Sequence, residues 1–153
     1  MMTSVVGQPL FVVADLSSLE RTPRGSILGK VFFEMYSTAF PERDWYDFVV
    51  VLFSSWVKAL RALNERHVDE TKLCFMDGPF CVELAADRKG LWKVTMVTRG
   101  IDADEVHPMG YAVPSILLRS LTAASEGVVN ACEAKGWDSI DLQDLRRSLY
   151  FDL

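Results

Sequence analysis

The chain has 153 residues, half of them apolar and 24% charged, with a formal net charge of −5. That balance argues against a disordered chain, which has too few apolar groups to fold. It argues equally against a general nucleic-acid binder or a protein adhering to anionic membranes, because both need a basic surface.

The length suits a single domain over residues 1–153. The longest apolar run, 48–53, falls far short of the roughly 20 residues that span a bilayer. Residues 1–6 carry neither the basic start nor the apolar stretch of a secretory leader. Cys74, Cys81 and Cys132 are odd in number, so the expectation is a cytoplasmic protein with reduced thiols and no disulfide framework.

In chain order, residues 10–14 are apolar and β-branched and predict a strand, followed by a loop over 16–26. A second strand is expected at 28–36, with Val31, Phe33 and Met35 facing the core and Phe32 an apolar exception on the other face. A long helix is expected over about 43–65. Trp45, Val49, Leu52, Trp56, Leu60 and Leu63 form one stripe on it, and Tyr46, Val50, Phe53 and Val57 a second. A helix apolar on two sides is buried on both, or leaves one for a partner.

Asp77-Gly78 lies between apolar strands at 72–76 and 80–86 and marks a hairpin. Pro79 has no N–H to close a two-residue turn, so a four-residue loop over 76–79 fits better. Either turn pairs Phe75 with Phe80 and Cys74 with Cys81. A further strand at 91–98 completes a meander, and 100–110 reads as a polar loop. Pro114 opens a helix running to Lys135, with Gly136 just beyond its end. Asp138 or Ser139 caps a short final helix carrying Leu142, Leu145 and Leu149 on one face. The expected fold class is α+β, in the order ββ-α-βββ-αα: one antiparallel sheet of about five strands with helices packed on one side.

No constellation suited to bond making stands out, and no catalytic residue, metal site or cofactor is assigned. His107, with Asp102, Asp104 and Glu105, matches no strong metal-ligand spacing, and a solvated acidic loop accounts for it. Cys74 and Cys81 lack redox spacing and read as small buried apolar groups, with a redox switch as the alternative. Asp77 before Gly78 is the expected turn residue. As partner contacts, Trp45 and Tyr46 at the expected helix start suit anchors, because Trp and Tyr dominate interface hot spots. Asp77, the loop with Asp102, Asp104 and Glu105, and the acidic segment with Asp138, Asp141 and Asp144 are the charged candidates.

Pro41-x-x-x-Trp45-x-Asp47-Phe48, then Leu52 and Trp56, then Phe75-Met76-Asp77-Gly78-Pro79-Phe80 resembles a group of small bacterial proteins. These are uncharacterised and candidate immunity proteins found near polymorphic toxins. The likeness covers roughly residues 28–98, its most specific piece being the Phe-Met-Asp-Gly-Pro-aromatic hairpin. It implies a non-catalytic protein that binds and blocks a cognate toxin, and transfers no defined functional residues. An acidic surface would speed encounter with a basic toxin. Two other classes fit the same sequence. One is a small enzyme or small-ligand binder with a pocket between sheet and helices, tested first at Asp77, His107 and Glu105. The other is an oligomer subunit, such as a homodimer, joined through the aromatic helix.

Overall fold

A computed structural model describes residues 5–150; residues 1–4, part of the stretch weighed above as a leader, lie outside it. The fold is α+β, with two antiparallel four-stranded sheets and three helices. Sheet one holds β1 (Phe11–Arg21), β2 (Ile27–Met35), β3 (Thr38–Phe40) and β4 (Tyr46–Asp47). Helix α1 (Val49–Asn64) leads to sheet two, formed by β5 (Glu70–Cys74), β6 (Phe80–Ala86), β7 (Trp92–Thr98) and β8 (Glu105–Ala112). Helices α2 (Pro114–Ala134) and α3 (Ile140–Tyr150) follow.

The expected order is corrected in four places. The first strand continues to Arg21 through the polar stretch read as a loop, with a bulge between Asp15 and Glu20. Residues 38–47 lie along β2 as two short strands, β3 and β4. The long helix therefore starts at Val49, and Trp45 and Tyr46 are not on it. Half of the expected polar loop 100–110 is β8, paired along β7 with a bulge after Val94. Two sheets thus stand where one of about five strands was expected.

The expectation of reduced thiols is also overturned, because Cys74 and Cys81 are joined in a disulfide and only Cys132 is free. The hairpin register is the one the turn chemistry predicts: Cys74 faces Cys81, and the Phe75 N–H donates to the Phe80 carbonyl at 3.0 Å. Next to that hydrogen-bonded pair, the cysteines form a non-hydrogen-bonded one. Such pairs bring side chains closer, with Cα atoms about 4.5 Å apart, and here the separation is 4.0 Å.

Helix α1 is buried along both of its apolar stripes. It packs against β2, β5, α2 and α3, while α2 lies on β1. Two of the edge strands, β1 and β5, have outward backbone groups bonded by side chains from the helices. At β1, the Ser120 hydroxyl accepts from the Val12 N–H (2.8 Å) and donates to its carbonyl (3.2 Å). At β5, the outward Cys74 carbonyl accepts from Trp56 Nε1 at 3.2 Å. Phe32 does point away from the core, and the Arg43 guanidinium, 5.4 Å from its ring centroid, covers it. Helix α2 ends as expected. Gly136 takes a positive φ of 69°, and the Gly136 and Trp137 N–H groups donate to the Glu133 and Cys132 carbonyls. Ser139, rather than Asp138, caps α3 through its hydroxyl and the Leu142 N–H at 3.0 Å.

Asp144 ties α3 to α1, accepting from the buried Ser54 hydroxyl (2.5 Å) and from Lys58 (2.9 Å). The Ser54 hydrogen bond first, then Lys58, holds its carboxyl below the usual carboxylate value, with burial opposing. A folded pKa below the unfolded value stabilises at neutral pH, and that stabilisation fades as pH falls from about 4 through the folded value. Asp144→Asn is therefore expected to lower stability at pH 7, the difference from wild type narrowing toward about pH 2. Urea unfolding at both pH values checks this; an equal loss at both would mean packing rather than charge is responsible.

Candidate functional site

The site is built around Asp47, whose side chain is only 1% exposed. One carboxylate oxygen accepts from the Phe48 N–H at the head of α1 (2.6 Å). The other accepts from Trp45 Nε1 and from the Asp77 N–H, both at 3.0 Å. A buried carboxylate needs such donors to offset its lost hydration. The 45–48 segment and the hairpin tip, where Asp77 lies 30 residues beyond Asp47, are thereby locked together.

Aromatic rings complete the joint. Trp45 stands edge-on to Phe80 (centroids 5.2 Å) and Phe75 (6.4 Å), Phe40 edge-on to Phe80 (5.8 Å), and Phe75 edge-on to Phe33 (5.8 Å). Edge-to-face pairs are the favoured aromatic geometry. Gly78 closes the tip at a φ of 74°, and a Cβ there would sit 2.8 Å from the Phe80 ring. The tip itself, with Met76 and Asp77, is exposed.

The β6–β7–β8 register brings a second loop to the same end. Phe80 pairs with Thr98, Thr98 pairs with Glu105, and the Arg99 N–H donates to the Pro79 carbonyl at 2.8 Å. Asp104 accepts from the Gly100 N–H at 3.2 Å and so shapes the turn between β7 and β8. Four of the predicted carboxylates, on Asp77, Asp102, Asp104 and Glu105, thus share one end of sheet two, and all four residues are exposed. Three exposed apolar residues sit among them: Met76 (60%), Val106 (55%) and the fully exposed Ile101. Met76 and Ile101 carry a signal in the sequence as apolar residues in turns, whereas Val106 lies on β8.

Trp45 belongs to this end, half-buried beneath the tip. Tyr46 does not. It pairs with Lys30 in β4 and lies beside Glu20; burial first, then the Glu20 carboxylate, raises its phenol above the ordinary value. The acidic C-terminal segment is largely engaged within the protein. Asp144 holds Ser54 and Lys58, and Asp138 bonds Arg146 at 3.3 Å.

Among the described residues, no three His, Cys, Asp or Glu side chains gather as metal ligands, and no helix is long and apolar enough to cross a membrane. The space between α1 and the sheets is filled by packed apolar side chains, including Trp56, Phe33, Leu73, Val82 and Val94. Two open grooves lie on the surface. One, of about 720 Å³, lies between β1 and α2; another, of about 420 Å³, runs over Lys72, Glu83 and Lys93 on sheet two. The chain matches no family model, no curated protein and no solved structure. The Trp-x-Asp-Phe and Phe-Met-Asp-Gly-Pro-Phe segments meet in space, joined at Asp47.

Proposed function

We propose that this chain is a protein-binding module, an immunity protein that engages a basic toxin with the end formed by the 76–79 tip and the β7–β8 turn. The reading is carried by one observation: Met76, Ile101 and Val106 are exposed among Asp77, Asp102, Asp104 and Glu105. Apolar anchors ringed by charge are how specific interfaces combine desolvation with steering. Arg99 is the one cation in the β7–β8 turn, against the four carboxylates of Asp77, Asp102, Asp104 and Glu105.

The test is association with the product of an adjacent toxin-like reading frame. The purified pair is expected to bind at low salt and micromolar concentration. The triple substitution Asp102→Asn, Asp104→Asn, Glu105→Gln is expected to slow association about tenfold at low salt, and much less at high salt. Ile101→Ala should act mainly on dissociation. Failure of the wild-type pair to associate would end this reading.

A further inference from the structure

Cys74, Cys81, Val97 and Val106 stand side by side across the four strands of sheet two. Strand alternation puts them on the face with Lys72 and Glu83, opposite the core-facing Leu73 and Val82. The disulfide is therefore outside the core, at the mouth of the 76–79 tip. The two residues are unequal, because Cys74 is half-buried and Cys81 only 2% exposed. The third thiol, Cys132, is fully buried in the core, and burial pushes its pKa up, so it is poorly placed to exchange with them.

The hairpin has fastenings that do not involve sulfur. The Phe75–Phe80 hydrogen bond closes its base, Arg99 holds Pro79, Asp47 holds Asp77, and Trp56 holds the Cys74 carbonyl. The two cysteines are only seven residues apart, a short loop that constrains the unfolded chain less than a long one. The fold can therefore outlast the bond, while the tip loses its covalent tie.

We propose that the Cys74–Cys81 disulfide is a reversibly reducible clasp on the tip, opened by dithiol reductants of the Cys-x-x-Cys class. A reductant thiolate attacks the sulfur of Cys74, the more exposed of the two residues, the S–S bond breaks, and Cys81 leaves as a thiolate and takes up a proton. The reductant's second thiol then displaces Cys74 from the mixed disulfide. Two electrons and two protons pass to the protein, which ends with two thiols, and the reductant ends as a disulfide. The redox step stands apart from partner binding; any effect on a toxin rests on the function proposed above.

The experiment adds dithiothreitol to the air-oxidised full-length chain without denaturant. The intact mass is expected to rise by about 2 Da as the bond opens. Far-UV circular dichroism should stay unchanged, and amide exchange across residues 75–80 should accelerate about tenfold. Oxidised glutathione should reverse all of this, and Cys132→Ser should behave as wild type. The double variant Cys74→Ser, Cys81→Ser should exchange fast without reductant; if it does not fold, reduction of the wild type decides alone. Absence of the bond in air-oxidised protein, reduction only after global unfolding, or equal tip exchange in the two forms would overturn the clasp. None of these readouts needs a toxin, so they fail or succeed independently of the immunity reading.

Discussion

Asp47→Ala is expected to destabilise the protein by about 4 kcal/mol, because it strips three part-buried donors of their acceptor at once, each worth about 1–3 kcal/mol when left unpaired. The donors are Trp45 Nε1, the Phe48 N–H and the Asp77 N–H. For a chain of this size the midpoint of thermal unfolding should fall by about 8–16 °C. Asp47→Asn separates the parts. Its single carbonyl oxygen can serve Trp45 and Asp77 from the position of one carboxylate oxygen. Its amide then faces the Phe48 N–H, donor against donor. A cost of about 2 kcal/mol, roughly half that of alanine, is expected. Differential scanning calorimetry of the two variants checks both; a midpoint for Asp47→Ala within about 3 °C of wild type would show that Asp47 is not the joint described.

The same residue explains where the sequence misleads. Trp45, Val49, Leu52 and Trp56 keep helical spacing without a break, so periodicity alone starts the helix before residue 45. Tertiary contacts decide otherwise. The Trp45 carbonyl accepts from the Val31 N–H at 2.7 Å, and Asp47 takes the tip of a hairpin 30 residues on. Neither partner is visible in a local window. By contrast, the hairpin, the Gly136 helix end and the cap of α3 follow from short-range chemistry, and they appear as expected.

Strand β8 is hidden for a related reason. Residues 105–108 are all exposed, so no alternation marks them, and Pro108 at the register shift argues against a strand. Its pairing comes from β7. With β8 unseen, Asp102, Asp104 and Glu105 read as a solvated loop with no address in the fold. The individual acidic residues were legible, but their convergence with Asp77 was not. That convergence is set by the register of β6 on β7 and β7 on β8. The paired cysteines carry the same lesson in reverse. Their juxtaposition is legible from the turn, whereas their bonding is not, because an odd cysteine count and a start unlike a secretory leader still leave two of the three able to pair.

Trp56→Ala should be the other severe substitution. The ring is 1% exposed and touches three others, with centroids 4.8 Å from Phe33, 5.2 Å from Phe75 and 5.8 Å from Phe53. It is thus the place where β2, α1 and the base of the tip hairpin meet. Truncating a buried tryptophan costs about 3–5 kcal/mol in lost transfer energy and residual cavity. Loss of the Nε1 bond to the Cys74 carbonyl adds about 1 kcal/mol. Trp56→Phe keeps most of the ring volume and should cost about 2 kcal/mol, divided between a smaller cavity and the missing N–H. Urea unfolding provides the comparison, because the midpoint should drop steeply for alanine and modestly for phenylalanine at an unchanged slope. If alanine and phenylalanine were equally mild, the three rings would not depend on Trp56 for their packing. The rigid platform under the exposed tip would then have to come from Asp47 alone.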